Sequence, residues 1–341
     1  MPDPNNLPIT IATRGSALAL AQTHLILEQC RKIFPRLRFD YKIIKTTGDK
    51  RQSVSLAKPD ASLPKGLFTK ELEIALVKRH ADIAVHSLKD LPTDLPPGLV
   101  LAATPKRADV RDVLIYRDSD WFANPDNHQQ ADWTPGQSAL RGLKPHTALK
   151  DFPKGATVAT SSTRRKAQLL TARADLNVVE IRGNVPTRMQ KVAERAELDA
   201  TVLALAGISR LNFTIQPDGK LKGDAVADGL LAVVLDVDVM LPCVGQGAIG
   251  IETRADDERI AKICERLNHF NTFQCVTAER AFLAAMGGGC QSPVAAYAEI
   301  NGEKISMRAV SFQDGPVKRA TGKAPVKEAF ALGEKLAAEL K

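Results

Sequence analysis

The sequence predicts an α/β protein of two similar lobes followed by a small α+β domain. Three observations predict it. Through the first two-thirds of the chain a short β-rich run repeatedly precedes a helical one, the alternation of layered α/β folds. Past Asn271 the order changes to a helix, then strands, then a terminal helix. At 341 residues the chain is too long for one ordinary core, so two or three domains are expected.

The elements follow in order. Residues 7–13 alternate in polarity and read as a strand, and Ser16 is an N-cap for a helix over 17–33. Phe39, Tyr41 and Ile43 alternate again. A helix is expected over 69–80, with Leu72, Leu76 and Arg79 spaced along it, and short apolar strands over 82–86 and 99–103. Residues 156–160 lead into a helix from Thr163, 177–181 into a helix with Pro186 in its first turn, and 200–204 into the segment around Ile208. Residues 47–66 lack periodicity and read as a mobile loop. Residues 117–153, polar and rich in proline, read as an insertion partly ordered by Trp121 and Trp133. The last domain is a helix over 272–286, strands over 294–300 and 304–312, and a helix over 326–340.

Composition narrows the function. The chain is 44% hydrophobic and has no apolar run of about 18 residues, so no membrane helix is expected. Met1-Pro2-Asp3-Pro4-Asn5-Asn6 has no basic region before an apolar stretch, which predicts a cytoplasmic protein. The five cysteines are scattered without a C-x-x-C pair and suggest neither a disulfide framework nor a metal site. The formal net charge is +8, yet aromatics are 5% and no contiguous basic run occurs. Isolated Arg and Lys beside Gly, Ser and Thr suit discrete carboxylates better than nucleic acid.

Three kinds of motif carry chemistry. Gly287-Gly288-Gly289-Cys290 closes a helix, and reads either as a helix stop before a buried cysteine or as a thiol displayed with room around its sulfur. His86-Ser87-Leu88-Lys89-Asp90 follows a strand, where open α/β sheets bind ligands. His86 alone reads as a satisfied core or loop histidine. Thr13-Arg14-Gly15-Ser16, Thr160-Ser161-Ser162-Thr163-Arg164-Arg165 and Arg182-Gly183-Asn184-Val185-Pro186-Thr187-Arg188 each place hydroxyls or arginines at a strand-to-helix junction. One such junction is weak evidence; three favour a ligand with several carboxylates.

Together with Lys65-Gly66-Leu67-Phe68-Thr69-Lys70-Glu71, Leu241-Pro242-Cys243-Val244-Gly245-Gln246-Gly247 and Glu279-Arg280, these stretches resemble the porphobilinogen deaminase family along nearly the whole chain. The resemblance implies three domains, the first two like the lobes of periplasmic binding proteins: 1–105 with 247–268, then 110–242, then 271–341. It implies a dipyrromethane cofactor in thioether linkage to Cys290, with Asp90 as the catalytic carboxylate. Ser87, Lys89, Ser161, Ser162, Arg164, Arg165, Arg182 and Arg188 then hold the cofactor. Arg14, Ser16, Arg182 and Arg188 bind substrate carboxylates, and Lys58, Lys65 and Phe68 belong to a lid.

The implied reaction joins four porphobilinogen molecules head to tail with loss of ammonia, and hydrolysis then releases hydroxymethylbilane. The implied protein is a monomeric transferase of porphyrin and heme biosynthesis, using no nucleic acid and no membrane, and passing its product to uroporphyrinogen-III synthase. Val110, Pro186 and Ser292 depart from the family pattern. The alternative is a non-catalytic two-lobed receptor for a polycarboxylate, which has no use for a glycine-flanked thiol.

Overall fold

The computed structural model describes residues 8–50, 66, 68–124, 127, 140–289, 292–313 and 315–341. The chain forms two compact units, Met1–Asp109 with Pro242–Lys341, and Val110–Leu241. Among the described residues no helix is long and apolar enough to cross a membrane.

The first unit opens with β1 (Ile9–Thr13), α1 (Ala17–Ile33), β2 (Phe39–Ile43), α2 (Thr47–Lys50), α3 (Lys70–Val77), β3 (Ile83–Ser87) and β4 (Leu99–Ala103). Helix α1 starts where expected because the Ser16 Oγ accepts the Ala19 N–H at 3.3 Å. Its buried positions, Ala19, Gln22, Thr23, Ile26, Leu27 and Cys30, recur at helical spacing and face the sheet. Helix α3 is shorter than the sequence suggests. Thr69 is its N-cap residue, and Arg79 takes a positive φ of 55° past its end. Residues 47–66 are not all loop: α2 is one helical turn, tied by the Thr47 N–H (2.8 Å) and hydroxyl (2.5 Å) to Glu71 Oε1. Residues 51–65 lie outside the described residues, and Lys58 and Lys65 with them.

The second unit contains β5 (Asp112–Arg117), α4 (Ser119–Ala123), β6 (Thr157–Ala159), α5 (Thr163–Ala172), β7 (Asn177–Val179) and α6 (Val185–Glu194). It continues with β8 (Ala200–Ala204), α7 (Leu205–Arg210), β9 (Thr214–Ile215), β10 (Leu221–Lys222) and β11 (Leu230–Val234). Back in the first unit come β12 (Ile249–Arg254), α8 (Glu258–Leu267), α9 (Phe270–Ala285), β13 (Val294–Asn301), β14 (Lys304–Ser311), β15 (Lys318–Pro325) and α10 (Ala329–Leu340).

The two lobes share one topology. The first sheet runs β2-β1-β3-β12-β4 and the second β11-β5-β8-β6-β7. In the first, β2 and β3 pair in parallel with β1, while β12 is antiparallel to β3 and β4. In the second, β7 and β8 pair in parallel with β6, while β5 is antiparallel to β8 and β11. In the second lobe the antiparallel strand is the first formed after the chain enters that unit, and in the first lobe it is the first formed after the chain returns. In both lobes the parallel neighbours are joined through helices.

Strand β5 is buried along its whole length. Leu114 and Tyr116 enter one core with Val158, Leu169 and Val202, while Val113 and Ile115 enter another with Met189, Val192 and Phe213. A strand covered on both faces reads as a continuous apolar run. Arg117 corrects the expectation that an insertion begins there. It ends β5 with no exposed surface and donates to the carbonyls of Arg141 (2.7 Å), Arg195 (3.2 Å), Leu198 (2.5 Å) and Val192. Of the inserted segment, 125–126 and 128–139 lie outside the described residues, including Trp133. Trp121 presses so closely on Gly229 that a side chain there would overlap its ring.

The C-terminal sheet is antiparallel, β13-β14-β15, with eight residue pairs at each interface. Phe282, Leu332 and Leu336 pack on Ala296, Ala298, Ile305 and Met307. Gly333 allows α10 to approach α9, since a Cβ there would collide with the Ala278 carbonyl oxygen. Strand β15 was not foreseen, because its inward positions are only Ala320, Gly322 and Ala324 between polar residues.

Candidate active site

A pocket stands at the carboxyl ends of β1 and β3, where an α/β sheet presents ligands. Arg14, Ser16, Phe68, Ser87 and Asp90 line it, with buried Gln22 and His86 as further walls. The end of β3 turns at once into a single 3₁₀ turn, Leu88–Asp90, so Ser87 and Asp90 leave the sheet edge together. The Arg14 guanidinium lies 4.3 Å from the centre of the Phe68 ring, a cation–π contact. Gln22 and the Ser87 hydroxyl meet at 3.0 and 3.1 Å. Gln22 was missed by sequence reasoning, although a buried amide on the apolar stripe of α1 is a legible signal.

Two motifs far away in sequence shape the Asp90 turn. At Gly245, whose φ is +72°, a Cβ would meet Leu88 Cγ at 3.1 Å and the Lys89 nitrogen at 3.2 Å. Arg280 donates to the carbonyls of Leu91 (3.0 Å), Pro92 (2.6 Å) and Thr93 (3.3 Å), directly after Asp90. The glycine motif and Glu279-Arg280 therefore hold the backbone of the turn that carries the carboxylate.

In the second unit the Ser162 side chain caps α5 through the Arg165 N–H (3.4 Å), and the Ser161 hydroxyl donates to the Ile181 carbonyl (2.6 Å). Arg164 and Arg165 are buried, and each donates to one oxygen of Asp112 at 2.8 Å. Burial opposes ionisation of Asp112, but the two guanidiniums prevail and bring its pKa down to about 2. Arg182 differs. Its Nε and Nη2 are buried without a hydrogen-bond partner among the described residues, while Lys191 Nζ donates to its carbonyl at 2.8 Å. Arg188 Nε donates to the Gly183 carbonyl at 2.8 Å, and Asn184 caps α6 through the Thr187 N–H at 2.9 Å. Buried donors left unpaired cost about 1–3 kcal/mol each.

Cys290 lies outside the described residues. Before it, α9 ends at Ala285, and Gly287 has a φ of +67°. A Cβ placed at Gly287 or Gly289 would meet nothing within 4 Å. At Gly288, by contrast, a Cβ would meet the Ser292 hydroxyl at 2.5 Å. Cys30, Cys243, Cys264 and Cys275 are free thiols. Burial pushes Cys30 up to about 11, and Cys264 and Cys275 up to about 12, which makes them poor nucleophiles.

Fold and site define a two-lobed α/β protein with a carboxylate at the edge of one sheet and arginines at its strand-to-helix junctions. A family model described as porphobilinogen deaminase, dipyromethane cofactor binding domain, matches residues 9–262, and one described as porphobilinogen deaminase, C-terminal domain, matches 273–341. The porphobilinogen deaminase of Desulforamulus reducens is 39% identical over 334 residues, covering 97% of this chain and 94% of that protein. That of Chlorobium chlorochromatii is 41% identical over 309 residues, covering 90% and 84%. The chain belongs to the porphobilinogen deaminase family.

Proposed function

We propose that this chain is a porphobilinogen deaminase whose catalytic carboxylate is Asp90. The observation that carries the reading is Asp90 beside Arg14, Phe68 and Ser87 in one pocket at the sheet edge. Porphobilinogen carries an acetate and a propionate, and positive charge develops on its pyrrole as ammonia leaves. A preorganised carboxylate stabilises that charge, and guanidiniums receive the substrate's own carboxylates. Arg14, Ser16, Arg182 and Arg188 are assigned to substrate, with the unpaired donors of Arg182 as the main support.

The dipyrromethane cofactor supplies a free pyrrole α-carbon as nucleophile, and Cys290 is assigned as its thioether attachment. Ser87, Lys89, Ser161, Ser162, Arg182 and Arg188 are assigned to hold it. Arg164 and Arg165 join them by sharing their guanidiniums between Asp112 and the cofactor. Lys58, Lys65 and Phe68 are assigned to a lid. The same reading divides the first unit into a catalytic lobe, 1–105 with 247–268, and a cofactor-bearing domain, 271–341, with 110–242 as the second lobe. A monomeric, cytoplasmic enzyme that hands hydroxymethylbilane to uroporphyrinogen-III synthase completes it. Family membership disfavours a non-catalytic receptor.

The test is incubation with porphobilinogen. Ammonia and a linear tetrapyrrole should appear, and Asp90→Asn should fold normally yet turn over about 100-fold more slowly or worse. Near-normal turnover in that variant would remove Asp90 from the role.

A further inference from the structure

The Asp90 pocket has a buried acid–base pair in its wall that the reading above leaves unused. His86, next to last in β3, is 4% exposed and borders the pocket. Its Nε2 meets Glu252 Oε2 at 2.9 Å. Glu252 comes from β12, the antiparallel neighbour of β3, and has no exposed surface. Its other oxygen, Oε1, is buried with no hydrogen-bond partner among the described residues.

Packing does not account for such a pair. Desolvating a carboxylate costs several kcal/mol, and apolar side chains of similar volume are often as stable or more so. A buried His–Glu pair at the wall of a pocket holds an imidazole where a ligand in that pocket can meet it. The proton's place follows from the chemistry of the partners. A carboxylate only accepts, so Nε2–H donates to Glu252, and Nδ1 keeps its lone pair. Among the described residues the ring's hydrogen bond is made through Nε2. Glu73, from α3, stands in the same electrostatic neighbourhood. Burial raises its pKa, and the charge of Glu252 adds to the rise.

We propose that His86 Nδ1 accepts the proton that each condensation releases, with Glu252 as the positioning residue that fixes the ring and offsets its charge. The proposal rests on the deaminase reading. As a new C–C bond forms at the pyrrole α-carbon, the C–H bond there breaks and its electron pair returns to the ring. His86 takes the proton at Nδ1 and becomes an imidazolium facing Glu252. It then yields the proton to the released ammonia, which departs as ammonium, and His86 is neutral again. Asp90, in the same pocket, stabilises the pyrrole cation. The carboxylate–imidazole arrangement is that of general-base pairs in other enzymes.

The first test uses the intact wild-type protein. Nitrogen-15 NMR should find His86 protonated at Nε2 and bare at Nδ1; the opposite tautomer would overturn the proposal. The second test is His86→Asn, whose kcat should fall about 100-fold or more with KM little changed. Porphobilinogen deuterated at its free α-carbon should then show a primary isotope effect larger than in the wild type, because proton removal has become limiting. Glu252→Gln should shift the tautomer and lower kcat less, without changing the covalently added mass. Near-wild-type turnover in His86→Asn, or slow turnover without the larger isotope effect, would assign the pair to packing alone. A wild-type protein that releases no ammonia would defeat the deaminase reading first, and the NMR result would still stand by itself.

Discussion

Arg107 and Glu279 form a buried bidentate ion pair, with Arg107 Nη1 and Nη2 at 2.7 and 2.9 Å from the two carboxylate oxygens. The same carboxylate accepts the N–H groups of Gly245 (2.8 Å) and Ala298 (3.0 Å), and Arg107 Nε donates to the Gln246 carbonyl (2.7 Å). One pair thus joins the segment after β4, the segment before β12, helix α9 and strand β13. Its geometry meets the condition under which a buried ion pair holds, with both charges also hydrogen-bonded.

Glu279→Gln should therefore destabilise the protein by about 3–5 kcal/mol, because Arg107 would remain charged and buried without its partner. Urea unfolding measures it. A loss below about 1 kcal/mol would mean that the surrounding hydrogen bonds carry the junction alone.

Asp112 predicts an acid limb to stability. Its folded pKa, near 2, lies below the unfolded value of about 3.9, so its contribution is complete above that value and fades as pH falls from about 4 towards 2. The contribution is on the order of 2 kcal/mol. Asp112→Asn should be less stable at neutral pH, with Arg164 and Arg165 left facing an amide, and should lose less on acidification across that window. Parallel stability–pH curves for the two proteins would refute the assignment.

Much of the fold was legible because local signals agreed with the tertiary outcome. Ser16 and the spacing from Ala19 to Cys30 delimit α1, and Pro186 stands in the first turn of α6 as its chemistry dictates. What escaped depended on distant partners or weak contrast. Nothing near Arg164 and Arg165 indicates that Asp112 takes their charge, because the three meet only when α5 packs on β5. Arg117 carries the residue type of a surface position, yet its guanidinium serves buried carbonyls. Strand β15 lacks large side chains on its inner face. The site was legible as motifs, but its supports, Gly245 and Arg280 beneath the Asp90 turn, became visible only in three dimensions.

Arg182 separates function from stability. Its unpaired buried donors weigh against the folded state, so Arg182→Leu should leave the melting temperature unchanged or raise it. The same variant should bind porphobilinogen more weakly and raise KM, having lost its carboxylate fork. A clear fall in melting temperature with unchanged KM would make Arg182 a structural residue.

The last prediction concerns Cys290. The purified protein should be heavier than its sequence by two deaminated porphobilinogen units, and proteolytic mapping should place the added mass on this residue. The choice follows from the other thiols. Cys30, Cys264 and Cys275 are buried and pushed up to about 11 or 12, so almost no thiolate is available at neutral pH. Cys243 is half-buried, with its thiol 3.4 Å from Gln246 Oε1. Cys290 follows three glycines in sequence, and at two of them, Gly287 and Gly289, a Cβ would meet nothing within 4 Å. Cys290→Ser should fold, lack the added mass and lose turnover, since a serine hydroxyl is a far poorer nucleophile than a thiolate. Pulses of substrate on the wild type should add further pyrrole-sized increments. A bare mass in an active preparation would end the covalent-primer mechanism, whereas the same increment mapped to Cys243 would keep the mechanism and move its site.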